Sequence, residues 1–224
     1  MTCNHLILMN SPKHYLQLTK GIIRGRVNMK FILATNNQNK LKEMKEILLP
    51  LNIEVVSAED VGVSLDNVEE TGKTFEENSR LKALAALKLT GLPSIADDSG
   101  LMVDALNGEP GIYSARYSGE NATYSSNVDK LLLNMKDIPY DKRTAKFVCT
   151  ICCLFPDGDE ICVRGECFGH IGFKRVGSSG FGYDPVFITE NGKTFAELNS
   201  TEKAKISHRG KALEKFVTEL NKKC

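Results

Sequence analysis

A polar segment with one lysine follows the first apolar run of the chain and has the composition of an anion-binding turn. Thr35-Asn36-Asn37-Gln38-Asn39-Lys40 separates the apolar run 30–34 from a segment whose apolar residues recur at helical spacing. The backbone N–H groups that begin a helix favour negative charge, so a phosphate would bind there beside the lysine. The segment lacks the glycines of a Walker loop, and ordinary helix capping by Thr or Asn explains it equally well.

Two acidic pairs are candidate ligands for a cation. Glu69-Glu70 lies in a polar connection, and Asp97-Asp98 directly follows the short apolar run 94–96. Magnesium prefers oxygen ligands and usually takes one or two carboxylates together with substrate phosphates. A solvated loop explains Glu69-Glu70 equally well. It explains Asp97-Asp98 less well, because adjacent carboxylates at the end of a buried strand repel each other unless a cation or a donor compensates them.

Glycines flank an aromatic residue in a third segment, which has the sequence GSSGFGYDP at 177–185 and is followed by Lys203 and by SHRG at 207–210. Glycine lets the backbone approach a flat ligand closely, and Phe181 offers a surface for stacking. Lys203 and Arg209 supply donors for phosphate or carbonyl oxygen. A buried loop anchor and a solvated first helical turn explain the two parts separately, but they explain the combination less well.

The combination of motifs resembles the inosine/xanthosine triphosphate pyrophosphatase family, in the family's order from residue 29 to the last helix. The matching segments are Thr35-x-Asn37-x-x-Lys40, Glu69-Glu70-Thr71-Gly72-x-Thr74-Phe75-x-Glu77-Asn78, Ala96-Asp97-Asp98-Ser99-Gly100-Leu101, Gly111-Ile112-Tyr113-Ser114-Ala115-Arg116-Tyr117-Ser118-Gly119, Gly180-Phe181-Gly182-Tyr183-Asp184-Pro185 and Ile206-Ser207-His208-Arg209-Gly210. The resemblance implies an α/β fold with a mixed central sheet flanked by helices, and two lobes with an active-site cleft between them. It also implies a homodimer that uses Mg²⁺ to hydrolyse deaminated purine nucleoside triphosphates (ITP, dITP, XTP) to monophosphate and pyrophosphate, which cleanses the nucleotide pool.

The resemblance further implies a role for each matching residue. Asp98 matches the proton acceptor and lies close to the metal, and either Glu69 or Glu70 matches the metal-binding acid. Thr35, Asn37 and Lys40 match the phosphate-binding loop, in which Asn36 stands at a position often filled by glycine. With these four, the expected substrate-binding residues are Ser99, Phe181, Gly182, Tyr183, Asp184, Lys203, His208 and Arg209. Inosine has a 6-oxo acceptor where adenosine has an amino donor, so a donor such as the Arg209 guanidinium would favour inosine.

The elements that must position these residues alternate between strand and helix patterns. We expect strands at 30–34, 53–56, 145–155 and 161–171, short apolar runs at 94–96 and 101–103 on either side of the acidic pair, and helices at 40–49, 75–89 and about 207–220. Pro156-Asp157-Gly158-Asp159 predicts a hairpin between the last two strands. A strand-helix-strand unit combined with a hairpin predicts a mixed sheet.

The composition is that of a soluble globular protein, with 42% hydrophobic and 25% charged residues in a chain of 224. A net charge of +1 from 29 basic and 28 acidic residues predicts no nucleic-acid partner. No apolar run approaches the roughly 20 residues that cross a bilayer, so we expect no membrane partner. The seven cysteines are an odd number and several lie in strand-like sequence, which favours buried, reduced thiols and a cytoplasmic location.

The beginning of the chain differs in charge from the remainder. Residues 1–28 include Lys13, Lys20, Arg24 and Arg26 but no acidic residue. We expect them to be an appendage to a single domain at 29–224. A disordered extension, an upstream start and a weak organelle-targeting segment are all consistent with this composition.

Three other functions remain open from the sequence alone. A pyrophosphatase for other modified nucleotides would keep the phosphate and metal clusters, and activity on a panel of triphosphates would distinguish it from an enzyme for deaminated purine nucleotides. A non-catalytic nucleotide-binding module would bind without turnover, so magnesium-dependent release of pyrophosphate would exclude it. A redox or zinc protein built on Cys149 and its neighbours would lose activity on zinc chelation or in Cys149→Ser, and we expect neither loss.

Overall fold

The computed structural model describes residues 30–65 and 68–223, and within them six strands form one sheet that packs against α-helices. The strands are β1 (Lys30–Leu33), β2 (Glu54–Ser57), β3 (Ser94–Val103), β4 (Thr144–Leu154), β5 (Glu160–Ile171) and β6 (Phe187–Thr189). The helices are α1 (Gln38–Leu48), α2 (Phe75–Thr90), α3 (Tyr124–Asn134), α4 (Ser200–Ile206) and α5 (His208–Lys223).

The sheet is mixed, as the sequence predicts. Its strands lie in the order β2-β1-β3-β4-β5-β6. β1 runs parallel to β2 and to β3, and the pairs from β3 to β6 are antiparallel. The predicted hairpin joins β4 to β5, and these two strands pair along their whole length from Thr144↔His170 to Leu154↔Glu160.

Helices cover both faces of the sheet, because successive side chains of a strand point to opposite faces. On one face, Phe31 and Leu33 of β1 pack in a cluster that also contains Met44 of α1 and Phe216 of α5. On the other face, Ile32 packs with alanines of α2. The expected α/β architecture with a flanked mixed sheet is therefore confirmed, while the division into two lobes stays a prediction.

The strand β3 differs most from the sequence prediction. Two short apolar runs were expected on either side of the acidic pair, but one strand of ten residues runs through it, and Asp97 and Asp98 lie opposite Ile151 and Thr150 of β4. The interpretation that the pair lies at the end of a strand is wrong. A buried carboxylate is tolerated inside a strand when cations pair with it, and Asp97 has such partners.

Local signals explain where the helices begin and end. The Oδ1 of Asn37 accepts hydrogen bonds from the backbone N–H groups of Asn39 and Lys40 and so caps α1. α2 ends at Gly91, whose φ of +68° is readily adopted by glycine. α3 and α4 were not predicted. Their caps use Thr123 and Asn199 respectively.

The cysteines are only partly as predicted. Cys149, Cys153 and Cys167 are free and buried, as expected for strand cysteines. Cys152 and Cys162, however, form a disulfide, which contradicts the expectation that the strand cysteines are reduced. The physical reason is the antiparallel register, which sets these two residues opposite each other on β4 and β5. Cys3 and Cys224 lie outside the described residues.

The helices of the part of the chain that the structure describes are each too short or too polar to cross a bilayer. The expected appendage at 1–28 lies outside the described residues. The assignment of 29–224 as a single domain stays a prediction.

Candidate active site

A cleft of about 330 Å³ lies where the carboxyl end of β1 meets the middle of β3. Its lining includes most of the residues proposed from the sequence: Thr35, Asn36, Asn37, Lys40, Glu70, Asp98, Ser99, Phe181, Gly182, Tyr183, Asp184, Lys203, His208 and Arg209. Two proposed residues are outside this lining, namely Glu69, which is exposed, and Asp97, which is buried. Segments far apart along the chain therefore meet in one hollow, and of the acidic neighbours 69 and 70 only the second reaches it.

The predicted phosphate-binding turn forms one wall of the cleft. Thr35 Oγ1 accepts a hydrogen bond from the backbone N–H of Asn37 at 3.2 Å. The cap formed by Asn37 starts helix α1, which carries Lys40 in its first turn. Lys40 Nζ lies 3.1 Å from Asp97 Oδ2. The turn thus places an ammonium group and a helix N-terminus together, an arrangement that favours an anion.

Asp97 connects the phosphate-binding turn to helix α5. It is 1% exposed and pairs with Lys40 and with Arg209, whose Nη2 lies 3.0 Å from Asp97 Oδ2. Burial alone would raise the pKa of Asp97, but the charges of Lys40 and Arg209 outweigh it and hold this pKa well below its ordinary value. Asp97 is therefore a buried anion that holds a lysine of α1 and an arginine of α5 against β3.

Asp98 and Glu70 share one ammonium group. Lys82 Nζ, on α2, lies 2.9 Å from Glu70 Oε1 and 3.2 Å from Asp98 Oδ1. Burial raises the pKa of Asp98, and Glu70 and Asp97 add to the rise, although Lys82 opposes it. Among the described residues, the buried Oδ2 of Asp98 has no hydrogen-bond partner. Carboxylate oxygens are the ligands that Mg²⁺ prefers, so this unpaired oxygen and the neighbouring Glu70 fit a divalent cation.

Paired charges lie against the Phe181 ring at the other end of the cleft. Lys203 Nζ lies 2.6 Å from Asp184 Oδ2 and 2.8 Å from Glu43 Oε1, and Glu43 also pairs with Arg209. The Lys203 ammonium lies 4.9 Å from the centroid of the Phe181 ring. The backbone N–H of Phe181 donates to Asp184 Oδ2 at 2.9 Å. These contacts hold an aromatic surface beside two cations.

His208 is held as a neutral ring. It is 5% exposed and stacks on Phe147 with centroids 4.6 Å apart. Burial and the charges of Arg209 and Lys203 hold the pKa of His208 well below its ordinary value. Within the described part of the chain, His208 Nδ1 and Arg209 Nε are buried without hydrogen-bond partners. Each of these two side chains therefore has a nitrogen atom that is available to form a hydrogen bond near Phe181.

Comparison with known proteins identifies the family. Residues 31–219 match the model of the Ham1 family. The chain belongs to the Ham1 family. It is 50% identical over 194 residues to a dITP/XTP pyrophosphatase of Salmonella typhimurium, covering 85% of this chain and 98% of the relative. It is 49% identical over 197 residues to a dITP/XTP pyrophosphatase of Haemophilus influenzae, covering 87% of this chain and all, 100%, of the relative.

Solved structures of Ham1 proteins have the same fold. The Staphylococcus aureus Ham1 protein superposes with a TM-score of 0.77 at 42% identity, covering 87% of this chain and 100% of that chain. A HAM1 protein from Coxiella burnetii gives 0.78 at 41% identity, covering 87% and 99%. The family resemblance seen in the motifs is therefore confirmed.

The sequence motifs did not identify three residues that line the cleft or pair with its cations. Lys82 lies in an alanine- and leucine-rich helix, and its signal was one charged residue within an apolar stretch. Glu43 lies three residues after Lys40, so helical spacing could have placed it on the same face. Tyr124 had no signal in the sequence, because it belongs to a helix that was not predicted.

Proposed function

We propose that this protein is a nucleoside triphosphate pyrophosphatase that hydrolyses deaminated purine nucleotides such as dITP, ITP and XTP to the monophosphate and pyrophosphate. One observation carries the proposal: a turn with Lys40, a carboxylate pair with Lys82, and an aromatic ring with two cations line one cleft. The names of relatives that are about half identical to this chain support the substrate class.

The ends of the cleft suit the two halves of a nucleotide. Lys40, in the first turn of α1, would bind the phosphates together with Lys82. Phe181 would stack on the purine, with Lys203 and Arg209 near its polar edge. Salt bridges hold these four cationic side chains of the cleft in position before any ligand binds, so they would stabilise charge in the transition state with little reorganisation.

Glu70 and Asp98 would hold Mg²⁺. Both carboxylates contact the Lys82 ammonium group, and Asp98 Oδ2 is buried and has no hydrogen-bond partner among the described residues. When bound, the ion would neutralise charge on the phosphate oxygens and polarise water. Lys82 would keep both carboxylates in place beside it.

Asp98 is the proposed proton acceptor. A water oxygen bonds to the α-phosphorus, its proton passes to the Asp98 carboxylate, and the bond between the α-phosphorus and the bridging oxygen breaks, with its electron pair leaving on pyrophosphate. Each preorganised donor at the phosphates is worth about 3 kcal/mol of transition-state stabilisation, which is about a hundredfold in rate.

Selection of the base rests on the donors near Phe181. The 6-oxo group of inosine or xanthosine accepts a hydrogen bond, whereas the 6-amino group of adenosine would face a donor with another donor. Leaving buried polar groups unpaired discriminates by about 10⁴ or more. Arg209, which is 2% exposed and lines the cleft, is the proposed donor. A homodimer and a cytoplasmic location are part of the same proposal, and sedimentation of the purified protein would test the first.

The experiment incubates the purified protein with Mg²⁺ and equal concentrations of ITP, dITP, XTP, GTP and ATP, and identifies the products. We expect monophosphate and pyrophosphate from the first three, and little turnover of ATP. Asp98→Asn should lose at least a hundredfold in kcat, whereas Asp104→Asn, which changes an exposed aspartate at the end of the same strand, should keep it. Release of single phosphates, or an Asp98→Asn variant with nearly full turnover, would contradict the mechanism.

A further inference from the structure

Tyr124 connects the two ends of the cleft. Its hydroxyl accepts a hydrogen bond from Asn37 Nδ2 at 3.2 Å, and a longer contact of 3.5 Å joins it to Asn39 Nδ2. The Tyr124 ring lies 5.8 Å from the Phe181 ring, at an interplanar angle of 44°. One side chain therefore touches both the proposed phosphate-binding turn and the proposed base-stacking ring.

The backbone around Tyr124 is tied to the segment that carries Phe181. Tyr124 is the first residue of α3, and the preceding Thr123 forms a reciprocal cap with Ser126. Arg175, which lies in the connection from β5 to Phe181, donates from Nη2 to the Ser125 carbonyl oxygen at 2.9 Å. The same guanidinium lies 2.9 Å from Asp129 Oδ1. The backbone of Tyr124 is thus anchored next to the segment that carries Phe181, and its side chain extends to Asn37 of the phosphate-binding turn.

The side-chain amide of Asn37 contacts helix α1 through its oxygen and Tyr124 through its nitrogen. Its Oδ1 caps α1 by accepting from two backbone N–H groups, and its Nδ2 donates to the Tyr124 hydroxyl. The hydroxyl can stay on Asn37 while the ring remains 44% exposed. An aromatic ring with one polar tip engaged and an open face is suited to cover a ligand.

We propose that Tyr124 binds the nucleoside half of the substrate, with its ring over the sugar beside Phe181. In a nucleotide the sugar joins the base to the α-phosphate, and Tyr124 lies between the residues proposed for these two groups. The inference rests on the proposed function, because that function places phosphates at Asn37 and the base at Phe181.

The test uses two ligands that each carry half of the substrate. Inosine monophosphate has the base and sugar and contains no anhydride to hydrolyse, and inorganic pyrophosphate has neither base nor sugar. The dissociation constant of each is measured calorimetrically with Mg²⁺ for the unmodified protein, Tyr124→Ala, Tyr124→Phe and Tyr140→Ala. Tyr140 is a matched control, since it is 48% exposed and lines a different hollow.

We expect Tyr124→Ala to weaken inosine monophosphate binding about 5- to 10-fold and to leave pyrophosphate binding within about 2-fold, because a covering aromatic ring supplies roughly this factor. Tyr124→Phe should lose about 2- to 3-fold for inosine monophosphate, since the ring remains. Tyr140→Ala should change neither constant. Unchanged inosine monophosphate binding in Tyr124→Ala would overturn the proposal, and so would an equal loss for both ligands, which would confine Tyr124 to orienting the turn.

The outcome is separable from that of the proposed function. Absence of pyrophosphate release from dITP by the unmodified protein would refute the activity, whereas the binding constants need no turnover. A circular dichroism spectrum and melting temperature of each variant identify a folding defect. If Tyr124→Ala is unfolded, Tyr124→Leu, which keeps an apolar side chain but has no ring, replaces it, and equal binding of inosine monophosphate by Tyr124→Leu and the unmodified protein would then overturn the proposal.

Discussion

Replacing Lys82 by methionine would remove the ammonium group that lies between two carboxylates and keep most of the apolar stem. Lys82 Nζ is within 3.2 Å of both Asp98 and Glu70, and its side chain is 15% exposed. Burial would lower the pKa of Lys82, but Asp98, Asp97 and Glu70 raise it above its ordinary value. The ammonium is therefore charged in the native protein, and without it the carboxylates repel each other.

The size of the effect follows from this burial. Removing one partner of a buried ion pair costs about 3–5 kcal/mol, and the partial exposure of Glu70 favours the lower end. A loss of about 3 kcal/mol lowers the melting temperature by about 6–12 °C in a protein of this size. A divalent cation between the same carboxylates would replace the missing charge. Added Mg²⁺ should therefore stabilise Lys82→Met more than it stabilises the unmodified protein.

The assay is urea unfolding followed by circular dichroism, with EDTA and then with Mg²⁺. We expect Lys82→Met to be less stable than the unmodified protein by about 3 kcal/mol in EDTA and by less than half of that difference with Mg²⁺. The control Lys88→Met, an exposed lysine near the end of the same helix, should stay within about 0.5 kcal/mol. A difference below about 1 kcal/mol in EDTA, or one that Mg²⁺ does not narrow, would refute the reasoning.

Three further changes test separate parts of the cleft. Glu70→Gln should raise the Mg²⁺ concentration for half-maximal activity about 10-fold or more, while Glu69→Gln should not, and the reverse result would reassign the ligand. Arg209→Lys should lower the ratio of kcat/KM for dITP to that for dATP at least about 10-fold, because it removes the guanidinium donor. This ratio does not depend on the folded fraction of the variant, and an unchanged ratio would exclude Arg209 as the donor. The pKa of His208 is depressed in the native protein, so near pH 6.5 the unfolded chain binds a proton that the native protein does not. As the pH decreases below 6.5, the free energy of unfolding should therefore decrease by up to about 1.4 kcal/mol per pH unit. His208→Gln should flatten this slope in urea unfolding between pH 7.5 and pH 5.5; a slope equal to that of the unmodified protein would contradict the neutral ring.

Elements with their own local signals were predicted well. The expected helix 75–89 is Phe75–Thr90 in the structure, because the glycine that ends it follows directly in the sequence. The hairpin turn at 156–159 joins two strands whose ends lie within a residue of those expected. Such elements need only the hydrophobic period and a turn, and both are readable in a short window.

Elements and residues that depend on distant partners were not predicted. β3 continues through Asp97 because Lys40 and Arg209 compensate its charge from opposite ends of the chain. α3 begins with Thr123 and Ser126, a cap that lacks the usual Glu or Gln at its third position. The sequence motifs predicted most of the residues that line the cleft. They did not predict its ion pairs, such as Lys82 with Glu70, because these depend on the packing of α2 on the sheet.

The charges around the cleft are closely balanced, and this balance affects how a nucleotide arrives. The cations Lys40, Lys82, Arg116, Lys203 and Arg209 lie in ion pairs with the carboxylates Glu43, Glu70, Asp97, Asp98 and Asp184. A polyanion therefore meets little attraction from a distance, and its rate of encounter should depend only weakly on ionic strength. Retention starts at close range, where oxygen atoms of the incoming phosphates compete with Asp97 for the Lys40 ammonium.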